Sequence, residues 1–464
     1  MSDNNRMYDN TNPESIEAHG KLLENKSFHE FLPERILLNK NNKGGLGLLV
    51  EEHHFGIQPN NEAAPDFPLA GVELKVTPFK RNASKKKPFS AKERLVLNMI
   101  NYPNLPNETF STSSFWKKNK LILLVFYLYE TEKDRKDFEI RHAQLFEFPE
   151  NDLKIIKKDW EIIHNKVSSG KAYDLSESDT YYLAACTKGA NSSKRTDAPG
   201  KKAKPRAFSL KQSYMTSILN NYVLQGKKTY KTRELAAGQS IIDDLKDETL
   251  DEYIFRKYTP YFGRTLNDLC KEFNVNFNSK SYAYLVAKKI SAKILNNELD
   301  DIDKSEEFVK SNSQIKAIRI NKKGIIEQNM SFPSFKYTEI IEETWETSTM
   351  KEYFEEHRFL FVIYCENNDG DYVFRDSFFW RMPTEDLEGH FRNVWEETVT
   401  RIKNKQAHML PKMSENPVAH VRPHGREGID TYLTHYGESL VKKSFWLHRK
   451  YILNQVKKHS HLEL

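Results

Sequence analysis

The chain has 464 residues, 38% of them hydrophobic and including 28 Phe and 22 Tyr, more core material than one typical domain needs, so two or three domains are expected. Its 71 Lys and Arg nearly cancel 65 Asp and Glu, leaving +6, so a polyanionic partner is indicated by where basic residues gather rather than by their total. Three scattered cysteines (Cys186, Cys270, Cys365) exclude a disulfide framework, and no Cys/His pair has zinc-finger spacing; the polar N-terminus and the lack of any long apolar run point to a cytoplasmic protein with neither leader nor membrane span.

In chain order, residues 1–12 read as a disordered tail, and residues 13–23 and 27–38 as two short helices leading into a turn at Gly44. The run Lys43-Gly44-Gly45-Leu46-Gly47-Leu48-Leu49-Val50-Glu51 opens with glycines and continues as an amphipathic helix, with Leu46, Leu49, Val50 and His53 at helical spacing. Then comes Pro65-Asp66-Phe67-Pro68-Leu69-Ala70-Gly71-Val72-Glu73-Leu74-Lys75-Val76. Val72, Leu74 and Val76 alternate with Glu73, Lys75 and Thr77, the pattern of a half-buried strand with Glu73 and Lys75 on its polar face. Asp66, before the Gly71 turn, can fold back beside them. Two carboxylates and an ammonium around one point suit a hard divalent cation and an attacking water. A solvated strand face with a surface ion pair would look the same, and Asp9 with Glu24-Asn25-Lys26 is a decoy without an alternating strand.

Together, Lys43-Gly44-x-x-Gly47-x-x-x-Glu51, Asp66-Phe67-Pro68 and Gly71-Val72-Glu73-Leu74-Lys75 resemble the catalytic signature of MutH and of the Sau-type restriction endonucleases that cut at GATC. Both belong to the PD-(D/E)xK nuclease superfamily. The resemblance implies Asp66 and Glu73, with the Leu74 carbonyl, as ligands of Mg2+. It further implies Lys75 as the group that orients water or stabilises the phosphorane, Glu51 as an accessory acid, and Lys43 as a DNA contact.

Past this strand, residues 80–87 form a basic run, either a solvated hairpin tip or a phosphate-contacting loop. Lys117-Lys118-Asn119-Lys120 then precedes Leu121-Ile122-Leu123-Leu124-Val125-Phe126-Tyr127, an apolar run suited to a central strand. MutH-like enzymes use a second lysine at such a strand start, which implies Lys118, with Lys120 close by; a plain charged flank is the alternative. Ile156, Trp160, Ile163 and Val167 make one apolar helical stripe. Residues 181–190 run from a strand into a polar loop, and Lys188, Lys194, Arg195, Lys201, Lys202, Lys204, Arg206 and Lys211 face a single acid, Asp197, a credible DNA footprint. The resemblance implies that Thr187 and Lys188 read base edges in the major groove.

Halfway along, the chain begins again. Phe148-Pro149-Glu150-Asn151-Asp152-Leu153 is echoed by Met382-Pro383-Thr384-Glu385-Asp386-Leu387 at an offset of 234, and the helical stripe recurs as Phe391, Trp395, Thr398 and Ile402. Residues 121–127 recur as 359–364, and Phe208-Ser209-Leu210 with Tyr214 as Phe445-Trp446-Leu447 with Tyr451. Placing Ile318 on Leu74 puts Ala317 at Glu73, Arg319 at Lys75 and Lys310 at Asp66, with Lys288 at Glu51 and Glu356 at Lys118. So basic a site repels a cation, and the second copy is expected to be catalytically dead. Its His420-Val421-Arg422-Pro423-His424-Gly425-Arg426, placed on residues 185–191, resembles the Arg-Pro loop with which MutH reads its site, which implies Arg422 and Pro423 as DNA contacts; a Pro-stiffened turn with an exposed Arg is the alternative.

The expected architecture is α/β: two tandem restriction-endonuclease-like, MutH-type domains, each a mixed sheet flanked by helices. Residues 1–225 are the nuclease, 226–247 a linker, and 248–464 an inactive DNA-binding effector copy. The expected function is Mg2+-dependent double-strand cleavage of DNA at GATC, a type II restriction role beside a cognate methyltransferase. A second copy of the chain would meet the first on DNA, since one centre cannot cut both strands of a palindrome at once. The alternatives are a strand-nicking repair nuclease and a non-enzymatic DNA-binding regulator.

Overall fold

The computed structural model describes residues 7–33, 45–58, 64–82, 88–188, 195–232, 239–242, 244–275, 282–296, 298–425 and 429–462. The chain divides into two compact units, Met1–Gly238 with Val309–Asn312, and Gln239–Phe308 with Ser313–Leu464. Among the described residues no helix is long and apolar enough to cross a membrane.

In the first unit, helix α1 (Pro13–Lys21) starts on a proline, with the Asn12 side chain accepting from the N–H groups of Glu14 and Ser15. Tyr8, inside the stretch expected to be disordered, donates its hydroxyl to the Phe55 carbonyl at 2.7 Å and stacks on His19. An aromatic ring beside an apolar core is enough to fix Tyr8, while residues 1–6 lie outside the described residues. Of residues 27–38, the described helical part is a single turn, Phe28–Phe31. Helix α2 (Leu46–His53) buries Leu46, Leu49 and Val50, the face its spacing predicts.

Strands β1 (Glu73–Arg81), β2 (Phe89–Ala91), β4 (Leu121–Tyr129) and β5 (Glu139–Glu147) form a sheet in the order β2-β1-β4-β5, with β1 parallel to β4 and the other pairs antiparallel. β4 has a neighbour on each side and is buried over its first six residues, the central strand its unbroken apolar run predicts. Strands β3 (Leu95–Met99), β6 (Leu183–Thr187) and β7 (Arg206–Leu210) form a second, antiparallel sheet, β3-β7-β6. Helix α3 (Ser114–Asn119), capped by Ser113, leads straight into β4. Helix α4 (Glu150–Ser168) buries Ile156, Trp160, Ile163 and Val167.

The second unit repeats this plan. Strands β8 (Ser313–Ile320), β10 (Arg358–Glu366) and β11 (Tyr372–Trp380) form β11-β10-β8, with β8 parallel to β10. Strands β9 (Met330–Phe335), β12 (Ala419–Pro423) and β15 (Lys443–Leu447) form the antiparallel sheet β12-β15-β9, and β13 (Thr431–Leu433) with β14 (Ser439–Val441) adds a hairpin. Helix α5 (Tyr282–Leu295) stands where α2 stands, and α6 (Thr349–Glu356), capped by Ser348, leads into β10 as α3 leads into β4. Before helix α7 (Arg392–Lys403) a π-helical turn over Leu387–Phe391 takes up one extra residue. The repeat offset therefore grows from 234 at Leu153/Leu387 to 235 at Trp160/Trp395. Tyr214 donates to Asp152 at 3.0 Å and Tyr451 to Asp386 at 2.7 Å, the same contact in each unit.

Of the described residues between 226 and 247, Thr229, Ile241 and Ile242 are buried and most of the others are exposed. Thr229 is buried, with its hydroxyl accepting from the Glu147 N–H at 2.9 Å, and Ile241 is buried, with its N–H on the Glu307 carboxylate at 3.0 Å. These contacts tie Thr229 to the first unit and Ile241 to the second.

Candidate active site

Gly71, at φ +68°, turns the chain sharply, a conformation that glycine adopts without strain. Phe67 and Val72 then pair through reciprocal N–H to carbonyl bonds of 2.9 and 3.2 Å, which carries Asp66 back to the start of β1. The Leu74 N–H donates to Asp66 Oδ2 at 3.0 Å, and the Asp66 N–H donates to Glu73 Oε2 at 3.2 Å. On the other oxygen of Glu73, Lys75 Nζ sits at 2.5 Å and Lys118 Nζ at 3.6 Å. Asp66, Glu73, Lys75 and Lys118 thus meet at one carboxylate. Lys118 arrives from helix α3 rather than from the strand mouth, whereas Lys120 is exposed, its stem lying against Gly71.

Glu73 is not on a solvated face. Its exposure is 1%, and Thr77 is buried as well, so β1 is covered on both sides where alternation predicts a polar one. Burial pushes the Glu73 carboxyl above its ordinary range; Lys75 opposes this and Asp66 adds to it. Glu51, on α2, is pushed up to about 7, first by burial and then by the charge of Asp66. Carboxylates crowded this way are short of positive charge even with two lysines present. Among the described residues no three His, Cys, Asp or Glu side chains are grouped to hold a metal ion. Two carboxylates beside a backbone carbonyl make an open site instead. Such a donor set fits a hard divalent cation that keeps several waters.

Thr187 and Lys188 are exposed where β6 ends. Asp159 anchors the start of that strand. It is fully buried, and its carboxylate accepts from the N–H groups of Tyr181, Tyr182 and Leu183 at 2.8, 2.6 and 2.9 Å. Sequence reading passed it over as one polar residue on a core helix. The basic footprint also shrinks, because Arg206 and Lys211 are buried and donate to backbone carbonyls, Lys211 to Thr180 at 2.7 Å. Lys43 lies outside the described residues, as do Lys194 and residues 83–87 of the basic run.

The second unit corrects the alignment of the two copies. Glu73 pairs across the parallel ladder with Ile122, at the second position of β4, and Gln314 pairs with Phe359, at the second position of β10. The Ile315 N–H donates to Asp303 Oδ1 at 2.9 Å, as that of Leu74 does to Asp66. The Tyr353 hydroxyl, on α6, reaches Gln314 Oε1 at 3.3 Å, where Lys118 on α3 reaches Glu73. The counterparts of Asp66, Glu73, Lys75 and Lys118 are therefore Asp303, Gln314, Lys316 and Tyr353, not Lys310, Ala317, Arg319 and Glu356. Lys310 is instead buried in the first unit, with its ammonium 2.8 Å from Asp152.

Lys288, as expected, stands in for Glu51. Its Nζ lies 2.5 Å from Asp303 Oδ2 and 3.4 Å from Asp301. One acid has thus survived in the second copy, paired with a lysine that replaces another. Burial lowers the Lys316 ammonium to about 8; Asp303 opposes this and Lys288 adds to it.

Arg422 and Pro423 are exposed at the end of β12, and the Arg422 guanidinium lies 4.5 Å over the Trp446 ring. Val421 pairs with Phe445 as Ala185 pairs with Phe208, so Pro423 corresponds to Thr187 and Arg422 to Cys186, one residue from the alignment the sequence suggests. Arg426 lies outside the described residues.

A family model described as DNA mismatch repair enzyme MutH matches residues 55–159, which hold Asp66, Glu73, Lys75 and Lys118. The chain is similar to the type II restriction enzyme Sau3AI of Staphylococcus aureus, 36% identical over 457 residues, covering 87% of this chain and 91% of that enzyme. It is also similar to the DNA mismatch repair protein MutH of Shewanella woodyi, 29% identical over 186 residues, covering 39% of this chain and 78% of that protein. MutH of Shewanella baltica matches to the same extent, at 29% over 186 residues and 80% of its length.

Proposed function

The chain belongs to the family of type II restriction enzymes that includes Sau3AI, and from that premise we propose that its first unit cuts both DNA strands at GATC with Mg2+ while its second holds another copy of the site. As a site-specific deoxyribonuclease it acts on DNA. The observation that carries the rest is the meeting of Asp66, Lys75 and Lys118 at the buried Glu73 carboxylate.

In this reading Asp66 and Glu73, with the Leu74 carbonyl, hold the cation. When bound, the cation makes a coordinated water more acidic and offsets charge on the phosphate. Lys75 donates toward a phosphodiester oxygen and balances the charge that builds on the pentacovalent phosphorus. Lys118 keeps the Glu73 carboxylate oriented. Glu51 holds a proton below about pH 7 and releases it as positive charge enters the site. Thr187 and Lys188, at the end of the strand that Asp159 anchors, read base edges, and Lys43 is a further DNA contact.

One cutting centre per chain requires two chains to meet on a palindrome. Arg422 and Pro423 bind a further GATC duplex and favour the assembly competent to cut. Such an enzyme works in the cytoplasm beside a methyltransferase that protects the host's own sites. A strand-nicking repair role is disfavoured because the MutH relatives match 39% of the chain, whereas the restriction enzyme spans both units.

The test is plasmid DNA incubated with the full chain and Mg2+, followed by sequencing of the ends. Linear product with ends at GATC is expected. Open circles alone would point to nicking, and uncut plasmid to a regulator.

A further inference from the structure

The relic site of the second unit has kept the hydrogen bond that seats its aspartate and changed what that aspartate faces. Asp303 accepts the Ile315 N–H on one oxygen and an ammonium, Lys288 Nζ, at 2.5 Å on the other. Asp66 has the first of these bonds, but Glu51 stands in the position of that lysine. In place of the second carboxylate is Gln314, a neutral group of the same shape, satisfied by the Tyr353 hydroxyl. Where the first site sets Glu51 near Asp66 and Glu73, the second sets a lysine, Lys288, between Asp303 and Asp301. A divalent ion approaching Asp303 would meet Lys288 and the neutral Gln314, so these residues do not fit a metal.

Approaching DNA reverses the advantage. Acids left in excess of their lysines repel a phosphodiester until a cation neutralises them, whereas an aspartate already paired with a tethered ammonium does so less. Beside it lies a cleft of about 320 Å³ whose lining includes Lys316 and Arg319 against one acid, Glu327, with Asn329, Ser331 and Tyr372. Ser331 pairs across β9 and β15 with Trp446, the ring beneath Arg422. The cleft is thus walled by β8, which carries the relic, and by β9, whose sheet β12-β15-β9 carries the exposed arginine.

We propose that Lys288 is a tethered cation that takes the place of a divalent ion, so that the second unit grips the phosphodiester backbone of DNA without metal. The proposal rests on the reading that this unit binds DNA. Lys288 keeps Asp303 from repelling phosphate, and Lys316 and Arg319 supply the attraction. The first unit needs its cation to cut; the second needs none to hold DNA.

The test uses the full chain carrying Asp66→Ala, so that any response to a cation comes from the second unit, and a fluorescent GATC duplex titrated in chelator or in calcium. This chain should bind equally well in both. Adding K288E with Q314E should weaken binding about ten-fold in chelator, the order of one or two lost phosphate contacts, and calcium should restore it. Gln314→Glu alone, an isosteric change that spares the fold, should weaken binding several-fold in chelator with the same recovery. Binding unaltered by the acidic variants, while Arg422→Ala still weakens it, overturns the tethered-cation proposal and leaves the DNA-binding reading standing. A loss that calcium does not recover, in a chain with unchanged melting temperature, overturns it too. If Arg422→Ala also binds normally in chelator, the underlying reading fails.

Discussion

The two units carry one scaffold and two chemistries. Parallel ladder, capped helix and aspartate on a backbone N–H are the same in both, yet Glu51, Glu73 and Lys118 stand opposite Lys288, Gln314 and Tyr353. Those substitutions are mutually consistent. Buried Glu73 needs Lys75 and Lys118 near it, whereas neutral Gln314 is content with a phenol hydroxyl. The fold tolerates either arrangement because the buried polar groups have partners in both, and only the arrangement with excess acid has a use for a metal.

The sharpest way to break this comparison is to make the first site resemble the second. Glu73→Gln reproduces Gln314 and should cut cleavage about 10³-fold or more while changing DNA affinity little, as read by plasmid cleavage and duplex titration. A variant that still cuts normally would show that the hub is not the catalytic centre. Lys75→Met should cost about 10²-fold in cleavage rate, since it removes one charge that balances the phosphorane. Lys118→Tyr, which copies Tyr353, should cost about ten-fold and leave the metal dependence unchanged.

Smaller effects sharpen the contrast. Asp159→Ala strands three buried N–H groups at the start of β6 and should destabilise the first unit by about 3 kcal/mol in a urea melt, with the second unit unaffected. Folding raises the Glu51 carboxyl from the ordinary 4.5 to about 7, so between these values the folded chain keeps a proton that the unfolded chain has lost. The metal-free protein should therefore lose stability as pH rises from about 4.5 to about 7, and Glu51→Gln should flatten that slope in thermal melts.

The first site was legible because it is local. Asp66, Glu73 and Lys75 lie within ten residues, joined by a glycine turn and a period-2 strand, so spacing alone brings them together. Lys118 came through resemblance to a family, and its helix could not be told from a strand mouth by a short charged run. The second site was misaligned for a definite reason. Lys288 precedes Asp303 by fifteen positions, as Glu51 precedes Asp66, but Gln314 follows Asp303 by eleven where Glu73 follows Asp66 by seven. The helical turn Glu306–Ser311 fills the difference. A comparison at fixed spacing slides past Asp303 and lands on Lys310, which is buried elsewhere. The burial of Glu73 was equally hidden, since alternation along β1 does not reveal that its second face is covered.

The central claim, that one unit handles a divalent ion and the other does without, is tested most directly by counting manganese ions bound to the full chain in the presence of duplex DNA, by electron paramagnetic resonance, before and after Asp66→Ala. The account predicts saturable binding in the unaltered chain and none in the variant. Manganese still held at a saturable site after Asp66→Ala would mean that Asp303 and Gln314 form a working cation site, and would contradict it.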